Sequence, residues 1–246
     1  MDKMKKNNHV ILFFVLIAVF PLLGAEDKDD DPSLVTIKGR VSHFDGNPVD
    51  SALVEIKNDD FSTAYKTHTD GEGYYELAVK ADNYLALLSV RMDEYPRFSS
   101  LPEEEQKLEF WAWNFIARSD TVIDIRYDRL EIYGLNAFRI YGAAPGYTIY
   151  CRPMSLGLLH AGNDDLCPAP GDLDIDVEIN GSPVELNMVQ KVREYVPGSE
   201  LYGLLLHVGL PENNVKGEYD LFRLVMRHRI NGDAGEALLY RESTVY

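Results

Sequence analysis

The chain has 246 residues, enough to bury one large core or two modest ones. Its formal net charge of −16 and pI near 4.7 lack the basic footprint that phosphate backbones and anionic bilayers require, which excludes nucleic acid and an anionic membrane surface as expected partners. Fifteen Tyr and two Trp tilt the composition toward strands rather than disorder.

Lys3, Lys5 and Lys6 precede an apolar run from Val10 to Leu23 that Pro21 interrupts and Gly24 and Ala25 close. This is the layout of a secretory signal peptide, and the run is short for a spanning helix of roughly 20 apolar residues. Residues 1–25 are therefore expected to be cleaved, the alternative being retention as an anchor. Ala25 stands where a bacterial lipoprotein would carry its lipidated cysteine, so no stable membrane anchor is expected. Without residues 1–25 the balance is 21 Lys+Arg against 39 Asp+Glu, or −18. The expected location is periplasmic or secreted.

Residues 26–33, dominated by Asp27 and Asp29 to Asp31, read as a solvated acidic linker. From Leu34 the pattern has period two: Val35, Ile37 and Val41 share one face, and Thr36, Lys38 and Arg40 the other. Ala52, Val54 and Ile56 alternate again, as do Tyr75, Leu77 and Val79, and Leu85 to Val90 reads as a strand buried on both faces. Turns are expected at Asp45-Gly46-Asn47-Pro48 and at Thr69-Asp70-Gly71-Glu72-Gly73. There Gly46, Gly71 and Gly73 permit positive φ, and Asp70 can bond neighbouring amides.

The motifs Lys38-Gly39-Arg40-Val41, Asp45-Gly46-Asn47-Pro48-Val49, Ala52-Leu53-Val54-Glu55-Ile56 and Thr69-Asp70-Gly71-Glu72-Gly73-Tyr74-Tyr75-Glu76-Leu77 stand in order. Together they resemble the carboxypeptidase regulatory-like (transthyretin-like) domain. The resemblance spans residues 34–92 and implies a small antiparallel sandwich that accompanies other modules, often in exported proteins of Bacteroidota. It brings no catalytic residues.

Residues 93–106, rich in Pro, Ser and Glu, are expected to link this domain to a second one over residues 107–246. That region holds short strand-like runs and no long amphipathic helix. Asn180-Gly181 between Leu173–Ile179 and Val184–Val189 is its strongest hairpin signal. The expected fold is all-β, two tandem antiparallel β-sandwich domains after the signal peptide.

Cys151 and Cys167 are disulfide candidates in an oxidising compartment, with two unpaired buried thiols as the alternative. Trp111, Trp113 and Phe115 at period two are either a platform for successive sugar rings or core. Arg223, Arg227 and Arg229 share one strand face and either recognise the carboxylate or sulfate of an anionic sugar or pair with the abundant acids. Asp172, Asp174, Asp176 and Glu178 form one acidic strand face, better suited to solvent and edge protection than to a chelate. The six histidines show no metal-ligand spacing, no phosphate loop or nucleophile elbow is present, and no cofactor is implied.

The composite expectation is an exported, non-catalytic accessory protein that binds polysaccharide or oligosaccharide in bacterial polysaccharide utilisation, with its specific function beyond residue 104. The alternatives are an adaptor that holds another exported protein by its sheet edges and, with less support, a polysaccharide-active enzyme.

Overall fold

The computed structural model describes residues 33–142, 145–196, 199–212 and 217–242. The expected signal peptide, and the acidic linker apart from Ser33, lie outside these residues. Among the described residues no helix is long and apolar enough to cross a membrane.

The architecture is all-β. Six strands come from the first part of the chain: β1 (Leu34–Ser42), β2 (Leu53–Lys57), β3 (Thr63–His68), β4 (Tyr74–Lys80), β5 (Asp82–Asn83) and β6 (Ala86–Val90). The rest are β7 (Phe110–Trp113), β8 (Ile116–Ala117), β9 (Thr121–Val122), β10 (Ile125–Arg126), β11 (Leu130–Phe138), β12 (Tyr147–Ser155), β13 (Leu173–Ile179), β14 (Ser182–Pro183), β15 (Leu186–Val196), β16 (Ser199–Val208), β17 (Tyr219–His228) and β18 (Ala234–Glu242). One short helix, α1 (Leu156–His160), follows β12 and is capped by the Ser155 hydroxyl.

An eight-stranded sheet in the order β14-β13-β17-β18-β7-β6-β2-β3 forms the centre. Its middle strands contribute alternate residues to two separate cores. Ala86, Leu88 and Val90 of β6, Trp111 and Trp113 of β7, and Ala237 and Leu239 of β18 enter one core. Leu87, Phe110, Ala112, Leu238 and Tyr240, their neighbours in sequence, enter the other. Successive side chains of a strand leave opposite faces, so the two cores lie on opposite sides of one sheet. A four-stranded sheet, β11-β12-β16-β15, contributes to the first core, and β1 and β4 contribute to the second. Strands covered on both faces have no polar side, which is why β6 and β7 are buried throughout.

Three sequence expectations change here. Residues 93–106 connect β6 to β7, which are antiparallel neighbours in the same sheet, so the sheet runs unbroken across the expected linker. The segment is also tied down, with Lys107 N–H donating to Glu94 O at 3.0 Å and Leu108 N–H to Asp128 O at 2.8 Å. Pairing is mixed rather than purely antiparallel, because β7 with β18 and β1 with both β9 and β10 run parallel. The Asn180-Gly181 turn forms with both residues at positive φ, 54° and 75°, as a type I′ turn requires. Its return strand pairs with β13 only at Ser182 and Pro183, and the long partner of β13 is β17.

The motifs of residues 38–77 have concrete jobs. Asp70 Oδ1 accepts from the N–H groups of Glu72 and Tyr74 at 3.0 and 2.9 Å. Gly73 sits at φ +82°, where a Cβ would stand 2.4 Å from Val41 O. Gly71 adopts no positive φ, unlike the expectation. At Gly39 the chain between β9 and β10 crosses so closely that a Cβ would lie 1.9 Å from the Ile123 carbonyl oxygen, so only glycine fits.

Candidate functional site

The outward face of β1 and β4 carries the groove with the most ligand-like lining. Register places Lys38 opposite Glu76 and Arg40 opposite Tyr74, and β9 adds Val122 beside Lys38. Lys38, Tyr74, Glu76 and Val122, with Asp124 and the His68–Asp70 turn, line an open groove of about 650 Å³, within the range of small-ligand sites. Tyr74 and Val122 are 58% and 65% exposed. Arg40 is held by its Nε donating to Glu72 O at 3.0 Å, with its guanidinium 6.0 Å from the Tyr74 ring centre. Among the described residues the Lys38 and Glu76 side chains have no hydrogen-bond or ion-pair partner. The groove thus offers an accessible aromatic face beside one free cation and one free anion. None of these residues was singled out as a site from the sequence. Their outward alternation was legible, but their assembly with Val122 and Asp124, some 50 residues downstream, depends on the parallel pairing of β1 with β9 and β10.

Trp111 and Trp113 are core. They stack on each other with ring centres 4.7 Å apart, Tyr133 meets both edge-on, and they are 6% and 7% exposed. Phe115 lies in the opposite core, because β7 ends at Trp113 and Asn114 turns at φ +50°. No aromatic row is left to stack on a sugar chain.

Beneath the Trp pair lies a group that the sequence did not signal. Trp111 Nε1–H is directed at Glu109 Oε1 and Glu131 Oε1, at 3.1 and 3.0 Å. Glu131 is 2% exposed. Loss of water, then repulsion from Glu109, holds its carboxyl well above the usual range, and burial raises Glu109 as well. The pair therefore retains a proton where exposed carboxyls have lost theirs.

The arginine row of β17 meets the acidic row of β13. Arg223 pairs with Glu178 at 3.3 Å, Arg227 with Asp176 at 3.9 Å and Arg229 with Asp174 at 2.8 Å. Arg229 also donates to the carbonyls of Gly171 and Leu173. Arg223 Nε further bonds Glu236 Oε1 at 2.9 Å, and Arg126 Nη2 reaches Glu236 Oε2 at 2.7 Å. Glu236 is 4% exposed, so two guanidiniums neutralise one buried carboxylate. The row is consumed by cross-strand ion pairs, which answers the choice the sequence left open. Arg152 is likewise held by Glu194, its Nε donating at 2.7 Å.

Cys151 and Cys167 are free thiols buried in the first core, and the candidate disulfide is not formed. Burial pushes Cys167 up to about 12 and Cys151 higher still, which makes both poor nucleophiles. His228 is buried. Among the described residues no group of three or more His, Cys, Asp or Glu is placed to hold a metal.

No protein-family model matches the chain, and no curated protein matches it in sequence. Among solved structures it is similar to BcpA, the major pilin subunit of Bacillus cereus, at 11% identity, covering 85% of this chain and 69% of that one with a TM-score of 0.27. A DUF3823 family protein from Parabacteroides merdae is 10% identical, with 85% of this chain and 98% of that one covered and a TM-score of 0.28. The full-length major pilin SpaD from Corynebacterium diphtheriae is 8% identical, over 84% and 64% of the two chains, with a TM-score of 0.24.

Proposed function

We propose that the protein is an exported accessory protein that binds carbohydrate through the groove over β1, β4 and β9, in bacterial polysaccharide utilisation. One observation carries the reading: an exposed Tyr74 flanked by partner-free Lys38 and Glu76 in a groove of about 650 Å³. An aromatic face suits the apolar face of a sugar ring, and charged hydrogen-bonding groups beside it suit the hydroxyls. The signal-like N-terminus supports export, and the resemblance of residues 34–92 to the carboxypeptidase regulatory-like domain supports an accessory role. This reading differs from the expectation of a function beyond residue 104, since most of the groove comes from residues 38–76.

Affinity electrophoresis against neutral, uronate-rich and sulfated polysaccharides tests the reading. Retardation by at least one of them should be lost in Tyr74→Ala with the melting temperature kept, because Tyr74 is exposed. No retardation by any polysaccharide would sink it.

An adaptor role has its own support. β15 is eleven residues long, pairs only with β16 among the described strands, and carries a 96% exposed Tyr195. An open edge of that length accepts an added strand. One stoichiometric partner in a pull-down, lost on placing Pro within β15, would favour this reading over glycan binding.

A further inference from the structure

In so acidic a chain an arginine without a carboxylate is unusual, and two of them meet at one ring. Arg139, just after β11, and Arg241, in β18, have no ion pair and no hydrogen bond among the described residues. Each rests instead over Tyr147, with guanidinium carbons 5.5 and 5.4 Å from the ring centre. The ring itself is fixed. Tyr147 is buried, its hydroxyl donates to Asp220 Oδ2 at 2.7 Å, and Asp220 also accepts from Asn180 Nδ2 at 3.0 Å.

Two of the nearby acids are already occupied. Asp220 serves Tyr147 and Asn180, while Glu242 takes Arg118 at 2.6 Å and Asn83 at 3.1 Å. The donors of Arg139 and Arg241 therefore remain unfilled while stacking limits where the guanidiniums can go. Planar guanidinium donors match the oxygens of carboxylate and sulfate. Arg241 also lines a cleft of about 400 Å³, whose other polar side chains are Asp59, Asn83, Asn114, Tyr84, Tyr240 and Glu242. Asn83 and Tyr84 already donate to Glu242 and to the Lys80 carbonyl, which leaves the Asn114 amide to face an uncharged polar body attached to the anion.

We propose that Arg139 and Arg241 form an oxyanion site that takes the carboxylate or sulfate group of an acidic glycan. The glycan as carrier rests on the carbohydrate reading above; the oxyanion chemistry does not.

Titration of 15N-labelled protein with sodium sulfate, glucuronate and glucose at constant ionic strength tests the site. Sulfate, glucuronate or both should give saturable shifts at the Arg139 and Arg241 Nε–H signals and the Tyr147 amide, and glucose none. Sulfate alone assigns a sulfate ester and glucuronate alone a uronate. Arg139→Gln and Arg241→Gln should each weaken binding at least tenfold, and Tyr74→Ala should leave it unchanged. Absence of saturable shifts with both anions, or unchanged affinity in both Gln variants, overturns the site. Binding of the small anions without retardation by sulfated or uronate-rich polysaccharide keeps the site and removes the glycan from it.

Discussion

Replacing Glu131 with Gln should remove most of a pH dependence that the fold carries. Unfolded, Glu109 and Glu131 titrate near 4.5; folded, burial raises both, and repulsion from Glu109 raises Glu131 further. Below pH 4.5 the folded and unfolded chains bind the same protons there, and the pair adds no slope. Above it the unfolded chain releases protons that the folded chain keeps, so stability falls as pH rises, until the folded pKa is passed. One retained proton corresponds to a fall of about 1.4 kcal/mol per pH unit. In Glu131→Gln the substituted side chain has no proton to lose, and its amide can still accept from Trp111 and donate to Glu109. Urea unfolding of both proteins between about pH 5 and 8, followed by Trp fluorescence with equal m-values, yields the difference in stability against pH. For His43, burial lowers the pKa, but hydrogen bonds to Glu94 and the Tyr127 carbonyl outweigh it and leave the pKa above 6.5. Its contribution, lost as pH rises through that raised value, is common to both proteins and cancels. A difference that stays constant across this range refutes the shared-proton account.

Two further outcomes follow from the ion pairs and the thiols. Glu236→Ala strands Arg126 and leaves Arg223 only Glu178, and since both guanidiniums keep some contact with water the cost should be ~2–3 kcal/mol, below the roughly 3–5 of a fully buried pair. Arg227→Ala, whose partner is 3.9 Å away on the surface, should cost less than about 1 kcal/mol in the same denaturation assay. The thiols of Cys151 and Cys167 should resist alkylation at pH 8 until urea unfolds the chain, and reductant should leave the melting temperature unchanged, in contrast to a bonded pair.

Local chemistry was legible and long-range pairing was not. Alternation along Val35–Val41 and Tyr75–Val79 locates β1 and β4, Asp70 and Gly73 specify the turn from β3 into β4, and Asn180-Gly181 specifies another. The segment 93–106 has the composition of a linker, yet Glu94 and Lys107 are tied into the fold by backbone bonds that no local pattern announces. Trp111 and Trp113 have the spacing of an exposed row, but both faces of β7 are covered, so period two reports which core a residue enters rather than core against solvent. The rows on β13 and β17 were each visible in the sequence, and only their register, Glu178 opposite Arg223 and Asp174 opposite Arg227, reveals that each neutralises the other.

The position of β18 bears on how the chain can come together in time. It lies between β17 and β7 although it is the last described strand, and it pairs with residues more than 120 positions earlier. Until residues 234–242 have been synthesised, β7 and β17 each expose an unpaired edge, and neither core has its full wall. Closure is therefore a late step of high sequence separation, slow by its loop entropy, and a nascent chain stays open over most of its length until then.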